Sequence, residues 1–598
     1  VSTLDDFFLD GTQPETLTTD ILHATMCITC HGINQEEIHI ANNWQGSMMG
    51  QAARDPLFYA CLTIANQDIG QSGDLCIRCH TPRGWLAGRS EPTDGSALQD
   101  FDRDGVNCNT CHRMVDPVYK PGISPVEDVD ILNALAALPV NPGSGNYIID
   151  PLDRRRGPFD DAVPPAPGHG DAPDGFLFSP YHQTSELCAT CHDVSNPYYE
   201  RQLDGTYWAS GADYASAHTT GDKYDMFPIE RTYSEWLMSD YPDGVDTKGR
   251  FGGSLPGSVV FSCQDCHMPD TPSKGCVEAF DPPMRNNLPA HDFAGGNTWV
   301  RDAIPDLFPG DMFYISTDNL EAGQARSIEM LQLAASIELT QDGGDLNVRI
   351  TNETGHKLPT GYPEGRRMWL NVKFYDDMDM LIDERGFYDS IMADLATEDT
   401  KVYEAKLGLD AAAATKLGMP EGESFHFVLN NTYIKDNRIP PRGFTVAEFE
   451  SVQAAPVAAD YADGQYWDDT LYDIPSEAAS ATVTLYYQTS SKEYVEFLRD
   501  ENVTDDRGLD LYNAWLAHGM SAPVEMLTDT IDIAYFADGD SDGDGDVDLV
   551  DFACFQLCFS GPGGGLAEGC ESFDFDGDND VDLVDFGVFQ LVFTGPGG

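Results

Sequence analysis

Five times the chain sets two cysteines and a histidine in the order Cys-x-x-Cys-His: Cys27, Cys30 and His31; Cys76, Cys79 and His80; Cys108, Cys111 and His112; Cys188, Cys191 and His192; Cys263, Cys266 and His267. Two thiols at this spacing bond the vinyl groups of a haem, and the adjacent imidazole takes the iron from the proximal side. A composition like this one yields a single match by chance about 0.01 times, so five matches specify five haem c groups. Zinc ribbons pair two Cys-x-x-Cys knuckles and need no histidine directly after each. A thioredoxin-like redox pair occurs once, at a helix start after a strand.

The elements that carry these residues must come from a chain of 598 residues, long enough for several domains. No apolar run approaches the roughly 18 residues of a membrane span, and the mean hydropathy of -0.34 is that of a soluble chain. The balance of 100 acidic against 34 basic residues, a formal net charge of -66, disfavours nucleic acid and anionic membrane surfaces as partners. Ten of the 15 cysteines lie in the five motifs, leaving Cys61, Cys276, Cys554, Cys558 and Cys570, an odd number.

All five motifs precede residue 270, joined by Gly-, Pro- and Asp-rich stretches such as 140–150 and 164–175. Haems supply the core that regular elements otherwise build, so residues 1–318 read as one haem-templated, mainly α and irregular domain. A helical pattern from Asn319 to Ala335 follows, and then the period changes to two. Residues 336–340, 346–350, 368–374, 481–487 and 525–533 alternate as half-buried strands do. They predict an antiparallel β-sandwich over 319–535, with the helical linker at its start and a partly helical insertion around 400–418.

The last residues hold a repeat. Asp540 to Asp551 recurs 34 residues later as Asp574 to Asp585, and both copies continue alike to Gly-Pro-Gly-Gly. Ca²⁺ takes six to eight oxygens, which a twelve-residue loop supplies from positions 1, 3, 5, 7, 9 and 12. Here those positions are Asp540, Asp542, Asp544, Asp546 (through its carbonyl), Asp548 and Asp551, and then Asp574, Asp576, Asp578, Asp580 (carbonyl), Asp582 and Asp585. Gly545 and Asn579 stand at the turn, where left-handed geometry is needed. Two Ca²⁺ ions are expected. Position 12 is Asp rather than Glu in both copies.

This duplicated loop-helix arrangement resembles a type I dockerin, over about residues 536–598. The resemblance implies a small α domain in which two copies pack about a pseudo-twofold and dock a cohesin-like partner. Cys558 and Cys570, at the end of the first helix and before the second loop, are then a candidate disulfide stapling the repeats.

A low-spin electron-transfer iron needs a sixth ligand, His or Met. His182 lies six residues before the fourth motif, and His291 and His356 sit in Gly- and Pro-bounded segments, Pro289 to Asn297 and Thr354 to Gly361. These segments, with Trp44-Gln45-Gly46-Ser47-Met48-Met49, are similar to those of exported multihaem c-type cytochromes, over residues 7 to about 530. In relatives with a Trp-x-x-Ser-x-His pattern the last His is a distal ligand, and here Met49 takes that place. His182, His291, His356 and Met49 are therefore distal candidates, and the fifth iron is left with His23, His39 or His218.

The cytochrome resemblance implies haem attachment outside the cytoplasm, hence a mature periplasmic or extracellular chain whose signal peptide has been removed. The expected function is electron transfer to redox partner proteins or an extracellular acceptor, rather than enzyme catalysis. Self-association into a haem filament through docking termini is a variant of it. The alternative is a multihaem reductase or oxidase of a small nitrogen or sulfur compound, with one open iron. Pentahaem nitrite reductases use a Cys-x-x-Cys-Lys motif, which does not occur here.

Overall fold

A computed structural model describes residues 2–32, 40–161, 169, 176–209, 217–252, 258–311, 315–533, 539–541, 546–567 and 569–595. The motif-bearing region is built from short helices and loops. Its longest helix, α1 (Pro56–Asp68), starts on Asp55, whose carboxylate accepts the Leu57 N–H while Pro56 fills the first helical position. The second motif lies on α2 (Gly73–His80), and the others lie on or directly follow single helical turns at Thr25–Ile28, Cys108–Cys111, Ser185–Ala189 and Cys263–His267. On a helical turn residues three apart share a face, which points both thiols of a motif the same way.

The loops between these turns have only short two-stranded ladders, such as Val194–Asn196 with Phe227–Glu230, and buried arginines satisfy carbonyls outside them. Arg113 donates to the carbonyls of Thr19 (3.0 Å), Asp20 (3.1 Å) and Asp150. Arg156 is fully buried between Asp128 (2.8 Å) and Asp150 (2.6 Å).

Helix α3 (Thr317–Leu333), capped by Ser316, leads into the strands. One sheet is β1 (Ala335–Asp342), β2 (Asp345–Asn352) and β5 (Trp467–Asp473) in the order β1-β2-β5. The other runs β4-β3-β6-β7, from β3 (Arg367–Tyr375), β4 (Leu381–Arg385), β6 (Ser480–Gln488) and β7 (Val524–Asp532), and the short strand Val402–Tyr403 also pairs with β3. Every pairing is antiparallel. Leu346, Val348 and Ile350 of β2 share one core with Leu370, Val372 and Phe374 of β3 and Val483 and Leu485 of β6, so two sheets enclose a core as the alternation predicts. Around 400–418 the chain is partly helical, as expected. Residues Ala405–Leu409 form a strand, and the helix is confined to Ala411–Leu417, after the cap of Asp410.

Between β6 and β7 the chain forms two helices, α4 (Lys492–Asp500) and α5 (Arg507–Ala517). Their Tyr494, Val495, Leu498, Leu511 and Trp515 pack with Ala60 and Ile64 of α1. A second buried cluster joins Phe7, Leu9 and Leu75 to Leu409, Phe427 and Leu429. Buried side chains thus cross the line at 318/319. The repeat module has a core of its own, Val547, Phe555, Cys570, Phe573, Val581 and Phe589, around α6 (Leu549–Cys558) and α7 (Leu583–Val592).

Candidate haem and calcium sites

Four of the five motif imidazoles are oriented by a backbone carbonyl. Nδ1 donates to Gly275 from His31 (2.7 Å), to Arg156 from His112 (2.7 Å), to Ala294 from His267 (2.8 Å) and, more loosely, to Ala52 from His80 (3.4 Å). A proton held on Nδ1 leaves the lone pair of Nε2 for a metal. Burial holds the pKa of His80 and His267 near 4, so both are neutral at pH 7.

Three further imidazoles arrive from far along the chain to face this set. The ring centres of His31 and His169 are 6.2 Å apart with planes 24° from parallel, those of His112 and His291 6.4 Å and 23°, and those of His267 and His356 6.5 Å and 21°. Two imidazoles that each bond one metal at about 2 Å have ring centres about 6 Å apart. The pairs are spaced for one shared iron each. Nδ1 of His291 donates to the Pro289 carbonyl and Nδ1 of His356 to the Lys357 carbonyl, both at 3.0 Å. Burial lowers the pKa of His291 to about 3, which keeps it neutral.

The peptide of His356 is clamped from two sides. Its carbonyl accepts from Asn352 Nδ2 (2.7 Å) and Thr354 Oγ1 (2.9 Å). The next residue, Lys357, donates its N–H to Glu235 (3.1 Å) and its ammonium to Asp436 (2.7 Å), while Arg438 pairs with Asp436 (2.7 Å) and Glu235 (3.2 Å). Glu235 belongs to the motif-bearing region, and the other three belong to the strand-rich one. Burial pushes the Asp436 carboxyl up, but Arg438 and Lys357 outweigh it and hold the pKa at about 2.

The remaining candidates are placed less uniformly. The ring of His182 lies 5.5 Å from that of His112, with its Nε2 3.0 Å from the Cys111 carbonyl oxygen. His23 Nδ1 accepts the Thr25 N–H (3.2 Å), and its Nε2 is 3.8 Å from Asp104. His218 is buried, with Nδ1 3.5 Å from Thr220 Oγ1. The Met49 carbonyl accepts from Val106, two residues before the third motif. His39 lies outside the described residues. Among the described ring contacts neither His80 nor His192 faces a second imidazole, and His80 is stacked instead on Phe58 at 4.2 Å. Sequence reasoning did not single out His169, although Pro167-Gly168-His169-Gly170 brackets it as tightly as the segments of His291 and His356.

No protein family and no curated protein matches the chain. Among solved structures it is similar to a penta-heme cytochrome c552 from Thermochromatium tepidum, with 18% identity and a TM-score of 0.45 over 86% of this chain and 99% of that one. No helix among the described residues is long and apolar enough to cross a membrane.

In the second acidic loop one carboxylate oxygen each from Asp574, Asp576 and Asp578 falls within 4.8 Å of the others, and the same holds for Asp580, Asp582 and Asp585. Asp546, Asp548 and Asp551 form the corresponding group of the first loop, Asp540 precedes them, and Asp542 and Asp544 lie outside the described residues. This is the hard, all-oxygen donor set that Ca²⁺ takes. Asn579 has φ +65, as the turn requires. The copies also close on one another: Ser560 and Gly561 donate to the Val581 carbonyl, and Thr594 and Gly595 donate to the Val547 carbonyl. Cys558 and Cys570 form the disulfide.

Proposed function

We propose that the chain is an exported, periplasmic or extracellular electron-transfer cytochrome that holds five c-type haems and carries a calcium-dependent docking module. The carrying observation is the set of three imidazole pairs at 6.2–6.5 Å, assembled from residues remote in sequence and set with Nδ1 on backbone carbonyls for five of the six rings. Haem supplies reversible one-electron exchange, and the protein sets ligands, burial and spacing. Cys27 and Cys30, Cys76 and Cys79, Cys108 and Cys111, Cys188 and Cys191, and Cys263 and Cys266 bond the five groups. His31 with His169, His112 with His291 and His267 with His356 would each hold one iron between them. His80 and His192 are proximal, with their partners among His23, His39, His182, His218 and Met49.

Haem content by pyridine haemochrome and intact mass tests this reading. Five haems per chain, with a low-spin ferric spectrum dominated by bis-imidazole iron, are expected, and zinc in place of haem sinks it. The reductase reading draws on His80 and His192, which face no second imidazole among the described contacts. A high-spin ferric iron that binds cyanide or nitrite favours that reading, and its absence favours the relay.

For residues 536–598 the reading is a two-calcium, dockerin-like module that joins the cytochrome to a cohesin-like partner or to further copies of the chain, as in a filament. The acidic triads and the reciprocal closure of the repeats support it. Deleting these residues and comparing assembly state with and without Ca²⁺ tests it, and an unchanged assembly removes the docking role.

A further inference from the structure

Four junctions between attachment motifs are defined by side chains. The first and third motifs meet where the Leu22 N–H donates to Asn109 Oδ1 (2.8 Å), Asn107 Nδ2 donates to the Leu22 carbonyl (3.1 Å), and the thiols of Cys27 and Cys108 interact. The third and fourth meet through His182, whose Nε2 reaches the Cys111 carbonyl at 3.0 Å, and Cys111 lies close to both Cys188 and Cys191. The second and fourth are joined through Gly145, whose N–H donates to the Thr190 carbonyl at 2.7 Å. A Cβ on that glycine, at φ +75, would lie 2.9 Å from Cys79 Sγ, and the Cys79 thiol itself interacts with that of Cys191. The fourth and fifth meet where Cys263 N–H donates to Ser185 Oγ (3.1 Å), Gln264 Nε2 donates to the Thr184 carbonyl (2.7 Å), and Cys188 interacts with Cys263.

Exposure separates the ends of this network. Met26, beside Cys27, is 63% exposed, and Phe261, two residues before Cys263, is 54% exposed. The second motif is enclosed. Ile77 and Arg78 are buried within it, and the Arg78 guanidinium donates to the carbonyls of Leu9, Asp10 and Gly145, which seals it under the N-terminal segment.

Resting on the haem reading above, we infer that the five motifs form a branched array: the first, third, fourth and fifth run in line between two surface openings, and the second is an interior spur on the fourth. A linear relay gives each motif at most two neighbours, whereas the fourth motif has three. Thioether-bound groups would begin at their cysteine sulfurs, so motifs joined by these hydrogen bonds would hold their groups close together. Haems held in such an array would exchange single electrons between neighbours, one iron being oxidised as the next is reduced, with no bond made or broken. A one-electron outer-sphere donor supplies the electron at one opening, and an acceptor of the same class takes it at the other. The spur adds a site that fills and empties through the fourth motif alone.

The test is a crystal structure of the haem-loaded full chain with irons located by anomalous scattering, preceded by a haem count on the same preparation. The inference expects three iron neighbours for the iron held by His192, one for the iron held by His80, and haem edges near Met26 and Phe261 open to solvent. Two neighbours for the His192 iron, or a His80 haem open to solvent, overturns the branched array while leaving the haem reading intact. A count below five overturns the haem reading itself.

Discussion

The motif-bearing region and the two-sheet region satisfy the same backbone groups by opposite means. Between the sheets, ladders pair each strand residue with a partner, and the side chains only have to fill a core. Among the motifs, where ladders are short and two-stranded, carbonyls outside them are gathered by Arg78, Arg113 and Arg156, and other carbonyls orient the histidines. A ladder spreads stability over many small increments, whereas a buried cation concentrates it in one side chain. The motif-bearing region should therefore fail at single residues and the sheets should erode gradually.

The largest expected effect breaks the contrast at its sharpest point. Arg156→Ala leaves Asp128 buried without its cation, while Asp150 keeps Arg154, and should cost about 3–5 kcal/mol in thermal unfolding of the holoprotein. A loss under about 1 kcal/mol would erase the distinction. In the sheets, Leu370→Ala, which opens a cavity opposite Leu485, should cost about 3 kcal/mol by the same measurement. Next comes the joint between the regions. The Asp436 pKa is depressed below its unfolded value, so its contribution is complete above pH 4 and disappears as pH falls toward about 2. Acid titration should thus unclamp the His356 peptide, and Asp436→Asn should flatten that part of the stability–pH curve.

In the repeat module, Asp585 accepts the Phe575 and Asp582 N–H groups and caps α7. Asp585→Ala should cost about 1 kcal/mol without calcium and abolish the calcium-induced rise in melting temperature of the module. The smallest change belongs to the ladder. Thr482→Ala at the edge-facing pair with Thr530 should shift stability by less than about 1 kcal/mol, read from denaturant midpoints.

The same contrast explains what the sequence discloses. Strand residues such as 346–350 and 481–487 announce themselves because alternation is local, and the acidic loops do so because ligand positions recur in register. The strand at Ala405–Leu409 hides beside the alanine run of Ala411–Ala414, which reads as helix and draws its neighbours with it. The motif histidines are legible from two adjacent thiols. Their second contacts are not, because Gly275, Arg156 and Ala294 act through carbonyls that every residue possesses. His169 carries no attachment motif, and beyond its Gly and Pro bracket it is its facing of His31 that distinguishes it.

In each of the three imidazole pairs the partner lies C-terminal to its motif: His169 after His31, His291 after His112, His356 after His267. A chain delivered across a membrane N-terminus first therefore presents every one of these thiol pairs before the residue that completes its coordination. On the proposed haem reading that order would set a schedule, in which covalent attachment precedes ligation and the iron of the fifth motif waits for a loop of the strand-rich region. On the same reading, His356→Ala in the full chain should still carry five haems yet expose a reactive iron at its fifth motif, read by cyanide binding.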